Sequence, residues 1–243
     1  MKRNLIYMLM MGGLAFVIIS CGKSNITPQS TSSLTITDAI PGSAVLVPNF
    51  NSTKTLQYYK TAQQIPAGGS FEFGGYLGNI ALSLSQLTDT THTVFNSTIN
   101  IAPNSVHNLF LTGTLTAPDY LFTTDTLSFP ADSAVNVRFV NISTNSKPIS
   151  IDVSTASGTP IVAGLPYKGV SKFLHFTFKT TIPATSYNIE FRDMATNNVL
   201  YTYALTAATV IPAKLFKDIT LAFKGLPGGT GANAQGIILV NDF

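Results

Sequence analysis

The chain is short of charge and nearly without cysteine. Of its 243 residues, 10% are charged, against a typical share of about 25%. Fourteen basic and eleven acidic residues leave a formal +3. That is too little positive surface to grip a phosphate backbone, so nucleic acid is set aside as a partner. One cysteine, Cys21, excludes an intrachain disulfide and a multi-cysteine metal site. No stretch keeps a helical period past two turns, and a short helix is expected only at residues 54–64. There is no Gly-x-Ser-x-Gly elbow and no His-Glu-x-x-His pair, so two familiar hydrolase signatures are missing. What the chain does have is apolar content, 45%, enough to bury a real core. Its length allows one large domain or two small ones.

The N-terminus reads as a targeting segment. Lys2 and Arg3 precede an apolar run over residues 5–19. As a helix that run covers roughly 22 Å, short of a hydrocarbon core of about 30 Å. A cleaved signal peptide over residues 1–20 fits better than a membrane span. The run ends Ile18-Ile19-Ser20-Cys21, which resembles the lipobox of bacterial lipoproteins. The resemblance implies cleavage before Cys21 and acylation of its sulfur and new amino group, hence a membrane partner through the lipid anchor. Gly22, where an Asp marks inner-membrane retention in some bacteria, points to the outer membrane and leaves the leaflet open. Residues 21–33 are the lipidated Cys and a polar, flexible tether with an r.m.s. reach of about 19 Å. Loss of the leader also removes two positive charges, so the pI of 8.9 overstates the basicity of the mature chain.

From residue 34 onward the rhythm is two. Leu34-Thr35-Ile36-Thr37, Ile80 to Ser85, Ile149-Ser150-Ile151-Asp152-Val153 and Tyr187 to Arg192 alternate apolar with polar, and Ala44 to Val47 does so loosely. These read as half-buried strands with one face on a core. Turn signals such as Pro41-Gly42, Pro66-Ala67-Gly68-Gly69 and Pro227-Gly228-Gly229 lie between them. Strands without intervening helices favour sandwiches over a parallel sheet. The pattern also repeats. Leu34 to Asp38 lies on Val137 to Asn141, Ile80 to Gln86 near Tyr187 to Asp193, and Leu109 to Gly113 on Leu221 to Gly225. The predicted organisation is two tandem β-sandwiches, residues 34–127 and 132–243, rather than one large sandwich.

Val135 to Asn141, Ile149 to Val153, Ala163-Gly164-Leu165-Pro166-Tyr167-Lys168 and Tyr187 to Asp193 carry a family resemblance. Over residues 135–206, and more faintly in the first half, the chain resembles the family called domain of unknown function 4397. The resemblance implies an all-β fold of immunoglobulin-like or transthyretin-like sandwiches. It implies no reaction.

The residues call for no cofactor and no metal. His92, His107 and His175 stand apart from other ligand types, and His175 is expected on the solvent face opposite Leu174, Phe176 and Phe178. Gly229-Thr230-Gly231-Ala232-Asn233-Ala234 fits a dinucleotide fingerprint, but a strand follows where a helix is required, so it reads as a loop. Glu190 and Arg192 read as a surface pair. Arg138 and Asp152 are expected as cross-strand neighbours on the wet face of a hairpin centred on Asn145. Lys54 and Lys60 face five acids in residues 33–127, whereas residues 128–243 hold nine bases and six acids. An acidic and a basic module can contact each other or a partner.

Three function classes follow. The first is a non-catalytic binding or adhesion module on the cell envelope, for a glycan or a surface protein, with Tyr58, Tyr59, Tyr76, Tyr120, Tyr167 and Tyr201 available for sugar stacking. The second is a structural, fimbria-like subunit, for which an early Arg cleavage site is missing. The third and least favoured is an envelope hydrolase. Thr90, Thr126 and Ser133 sit in Asp-Ser/Thr pairs that match a bacterial O-glycosylation pattern.

Overall fold

A computed structural model describes residues 32–50, 63–125, 130–154, 158–179, 185–210 and 213–242. The leader, Cys21, the tether before Ser32, residues 54–62 of the expected helix, Tyr58, Tyr59 and Thr126 lie outside the described residues. Among the described residues the chain is all-β, apart from one helical turn at Ala207–Val210 and a 3-10 turn at Gly231–Asn233. Ser33, assigned above to the tether, already opens the first strand.

The first seven strands are β1 (Ser33–Asp38), β2 (Leu46–Phe50), β3 (Ser70–Gly74), β4 (Gly78–Gln86), β5 (Asp89–Ile101), β6 (Val106–Gly113) and β7 (Pro118–Asp125). They form two sheets, β3-β1-β6-β7 and β2-β4-β5. Leu34, Ile36, Leu46, Leu82, Leu84 and Leu109 lie in the core between them. Eight more strands follow: β8 (Ala134–Asn141), β9 (Ile149–Val153), β10 (Val162–Leu165), β11 (Leu174–Thr177), β12 (Ser186–Asp193), β13 (Val199–Thr206), β14 (Asp218–Lys224) and β15 (Gly236–Asn241). Their sheets, β11-β8-β14-β15 and β10-β9-β12-β13, enclose Val137, Phe139, Ile151, Phe191, Leu221 and Phe223. The alternation places these side chains: period two puts every second residue on the core face.

The two sandwiches are copies in topology and in register. β1 runs parallel to β6, and β8 runs parallel to β14. Leu34 faces His107 in one, and Val137 faces Ile219 in the other. Leu46 faces Gln86, as Ile149 faces Asp193. The aligned segments of the sequence repeat are therefore structural equivalents. Equivalent glycines, Gly113 and Gly225, end β6 and β14 with φ of +81° and +95°. A Cβ there would sit 2.5 Å from the Ala117 carbonyl oxygen or 2.3 Å from that of Ala234, so only glycine allows either turn.

The expectation of one wet face fails for the central strands. The described residues from Ser32 on form one compact unit, and the sheet containing β1 and β6 packs its outer face on the sheet containing β8 and β14. Ala39, Phe110, Val140, Ile142, Ala222, Ile238 and Val240 fill this seam, with Leu121 against them. The alternate residues of β1, β6, β8 and β14 are therefore also buried. They are mostly Thr, Asn and Ser, which can satisfy a hydrogen bond without bringing in a charge.

Two are charged: Asp218 of β14, fully buried, which accepts from Asn136 Nδ2 at 2.8 Å, and Arg138, at 3% exposure. Its guanidinium bonds both oxygens of Asp125. It also reaches Asp242 Oδ1 at 3.3 Å and donates through Nε to Thr220 Oγ1 at 3.0 Å. The Phe173 ring lies 4.9 Å from it. Asn108 Nδ2 donates to Asp125 and to Asp242, each at 2.8 Å. The predicted Arg138–Asp152 pair is thus incorrect. β8 and β9 do not form a hairpin, because residues 142–148 carry the chain from one sheet to the other. Arg138 points into the seam. Asp152 lies opposite Glu190 and 3.3 Å from Arg192. Period two was read correctly there, but the second face of β8 meets protein instead of water.

One position on the seam is imperfect. Thr37 is fully buried, and its hydroxyl has no hydrogen-bond partner. The repeat places Val140 at the equivalent position. Thr37→Val should therefore stabilise the fold, by about 1 kcal/mol, read as a higher urea midpoint at unchanged slope; a lower midpoint would show that the hydroxyl is satisfied.

Candidate functional site at the loop end

The strand directions give the molecule two distinct ends. β1, β6, β8 and β14 all run toward the same end, because the Thr112 hydroxyl near the top of β6 donates to the Ile142 carbonyl at 2.8 Å, just past the top of β8. Thr144 Oγ1 in turn donates to the Gly113 carbonyl at 3.0 Å. The turns at 39–45, 87–88, 114–117, 142–148, 166–173, 194–198 and 225–235 therefore lie together. The chain enters at Ser32, at the other end.

The loop end carries three groups of interest, two of them on the seam. Asp38, fully buried, accepts from the Ile40 N–H at 3.1 Å and the Ser43 hydroxyl at 2.6 Å, and so closes the turn after β1. Burial raises its pKa to about 6, against these bonds and the pull of Lys224 from the other sandwich. A cavity of about 160 Å³ lies beside it, lined by Ile40, Pro41, Gly68 and Lys224. Next, Asp119 of β7 receives Lys168 Nζ at 2.9 Å and the Tyr167 hydroxyl at 3.3 Å, both from the second sandwich. These bonds hold the Asp119 carboxyl below its usual range, against partial burial that pushes it up.

The third group is Tyr120, 42% exposed. Its ring meets Phe95 in T-shaped geometry at 5.2 Å, where the edge strands β5 and β7 approach. A cavity of about 220 Å³ opens there, lined by Phe95, Asn96, Ser97, Pro118 and Asp119 as well. An exposed ring beside amide, hydroxyl and carboxylate groups can stack one face of a planar or pyranose ring and hydrogen-bond its rim. Leu115, Val170, Met194 and Val199 are exposed at the same end.

The four candidate stacking tyrosines that lie among the described residues do not gather on one face. Tyr76 stacks on Phe50 at 4.1 Å near the chain entry. Tyr201 packs against the second core. Tyr120 and Tyr167 alone share a neighbourhood, on either side of Asp119. Thr90 is half-buried at the start of β5, and Ser133 is exposed just before β8. His175 faces out as expected, with Asp132 and Asn136 within 3.2 Å. His92 lies 2.6 Å from Asp89. His107 is buried, bonded to Thr124 and Ser105 and stacked on Phe122. Among the described residues no three His, Cys, Asp or Glu side chains gather at metal-binding distance. The glycine-rich stretch at 229–234 forms the loop before β15. Sequence reasoning missed that Asp152 and Glu190 are cross-strand neighbours, both bonded by Arg192. It also missed the pairing of Asp119 with Lys168. The charge imbalance between the halves was the available signal.

Residues 32–152 match the family model described as "Domain of unknown function (DUF4397)". Over these residues the chain belongs to that family. The DUF4397 match begins at β1 and ends within β9, so it takes in the whole first sandwich and the first strands of the second. The resemblance read from sequence over 135–206 is thereby shifted toward the N-terminus. Asp119, Tyr120 and the Arg138 network residues Asn108 and Asp125 all lie inside the DUF4397 segment, while Asp242 and Thr220 lie beyond it. No curated protein matches the chain.

Two buried carboxylates give the fold a pH dependence. Asp242, like Asp38, is raised to about 6 by burial, against the pull of Arg138. An acid raised in the folded state holds a proton that the unfolded chain releases, so stability falls as pH rises from about 4 to about 6. Asp89 and Asp119 are lowered, so their contribution is lost only on going below about pH 4. The urea midpoint should therefore decline between about pH 4 and 6, and Asp242→Asn or Asp38→Asn should each flatten that decline. An unchanged slope in both variants would contradict it.

Proposed function

We propose that the protein is a lipid-anchored lipoprotein of the cell envelope, held at the outer membrane through Cys21, whose β-sandwiches form a non-catalytic binding module for a glycan or a surface protein. The lipobox-like Ile18-Ile19-Ser20-Cys21, holding the only cysteine, supports the anchor. Several acyl chains hold a protein on a bilayer stably, whereas one alone is marginal. The binding role rests on one observation above the others: Tyr120 stands exposed over a cavity rimmed by Asn96, Ser97 and Asp119, at the end away from the chain entry. That arrangement suits a sugar ring better than a reacting bond. The paired carboxylates Asp152 and Glu190, the nearest thing to a hydrolytic pair, are both engaged by Arg192.

A second reading, an assembling structural subunit, is favoured by β13. This edge strand, Val199–Thr206, has eight residues with no charge and no proline, and so lacks the usual guards against pairing with another chain.

Cys21→Ser should abolish fatty-acid labelling and release the protein or leave its leader uncut; an unmodified Cys21 thiol in the wild-type mass spectrum would refute the anchor. On a glycan array, binding by the wild type should fall at least tenfold in Tyr120→Ala. Polymers at equilibrium in solution, with no glycan retained, would favour the second reading instead.

A further inference from the structure

The end of the molecule where the chain enters differs in chemistry from the loop end. Ser33 pairs with Val106 and Gly74, and Val106 with Asp125. Asp125 is bonded to Arg138, two residues above Asn136, which pairs with Asp218. The segments just before β8 and β14 therefore lie at the level of Ser33. Leu77 is 37% exposed beside this entry, where Ser32 bonds the Tyr76 carbonyl and accepts from the Gly75 N–H. On the second sandwich Phe216 is 47% exposed. Its φ is +63°, a left-handed conformation that a bulky residue adopts only where the surroundings hold it. The Phe216 N–H donates to the Ala134 carbonyl at 2.8 Å and fixes that turn on the base of β8.

The charges around Phe216 are mostly of one sign. Lys214 and Lys217 flank it, and Lys179 follows Phe178, whose N–H bonds the Ser133 carbonyl at the same end. The titratable groups facing them are His175 and Asp132, which pair with each other, and Asp218, which is buried. Exposed Asp89, Asp119 and Asp193 belong to the loop end, together with Lys147, Lys168 and Lys172, while exposed Glu72 accepts from the Ser33 hydroxyl at 2.5 Å, on the β3 edge of the first sandwich. An aromatic ring with lysines beside it is the composition of a surface that seats in the interface of an anionic bilayer: the ring enters the headgroup region and the ammonium groups meet phosphates.

We infer that the base formed by Leu77, Phe216, Lys179, Lys214 and Lys217 rests on the anionic lipid bilayer to which the protein is tethered, so that the loop end points away from it. The inference rests on the lipid-anchor reading for its bilayer. The place where the chain joins the fold is what commits the occupant. Ten residues, 22–31, separate Cys21 from Ser32 at this base and can span at most roughly 36 Å, so a bilayer holding Cys21 is the surface nearest to it. Each lysine near an anionic surface strengthens partition about fivefold, and a tethered domain needs little more than that to favour one orientation.

The chain has no tryptophan and one cysteine, which makes the test direct. The chain from Cys21 on, which holds both cores entire, is coupled through that thiol to maleimide-bearing lipid in vesicles of phosphatidylcholine and phosphatidylglycerol. This supplies a tether whether or not cells acylate Cys21, so failure of the anchor reading and failure of this inference are separable. Phe216→Trp then provides a single reporter at the base, and Val199→Trp one at the loop end. Bromine-labelled acyl chains should quench the fluorescence of Phe216→Trp severalfold more than that of Val199→Trp. The quenching should weaken severalfold when Lys214→Gln and Lys217→Gln are added, or in vesicles of phosphatidylcholine alone. Equal quenching at the two ends, stronger quenching at the loop end, or indifference to the lysine changes would overturn the inference.

Discussion

Everything else in the structure depends on two sheets that share their backs. β1, β6, β8 and β14 are enclosed on both faces, one by the core of their own sandwich and the other by the seam. An apolar side chain placed in such a seam contributes about 1.5–3 kcal/mol, and Phe110 is the largest one there. The seam also holds a cation. Arg138 is tolerable in that position only because Asp125, Asp242, Thr220 and Phe173 surround it. Loss of hydration on burial outweighs the pull of Arg138 at Asp242, and the second carboxylate, Asp125, adds to the rise. The result is a rigid pair in which apolar packing sets the distance and the Arg138 cluster fixes the register of one sandwich against the other.

The sequence was informative wherever a strand met water on one side. Ile80, Leu82 and Leu84 in β4, and Ile189 and Phe191 in β12, fall inward as their alternation requires. The equivalence of Leu34 with Val137 and of Leu109 with Leu221 was legible because the repeat keeps both pattern and spacing. It failed for Arg138. A lone arginine between Val137 and Phe139 looks solvated on any local rule, and its partners lie 13 and 104 residues away in the chain. Thr35 and Thr37 were misread for the same reason: a small polar residue facing water and one facing a second domain have the same spelling. The loop end was harder still. Asp119 and Tyr167 come together only because the two sandwiches stand side by side and point the same way.

That common direction separates the molecule's two ends. The connections 39–45, 114–117, 142–148, 166–173, 194–198 and 225–235, with their exposed Leu115, Val170 and Met194, emerge at one end. The chain enters at the other, beside Leu77 and not far from the lysines around Phe216. Neither end would have a consistent character if the copies packed head to tail. The lateral seam thus decides which surfaces are adjacent, and it makes the loop sets of two sandwiches into one continuous face.

The parallel pairing of β1 with β6 and of β8 with β14 has a kinetic side. Each central pair joins strands that lie about a whole sandwich apart in the chain, and such contacts are slow to form because a long loop must close first. During synthesis β1 has to wait for β6, and β8 for β14. Meanwhile β1 can pair only with β3, and β8 only with β11, so each exposes backbone donors and acceptors on its other edge and apolar side chains on a face that ends up buried. The Arg138 cluster is completed later again, by Asp242 after the final strand. A nascent chain of this design therefore remains open to capture, by a chaperone or by another copy, until β15 and Asp242 have emerged.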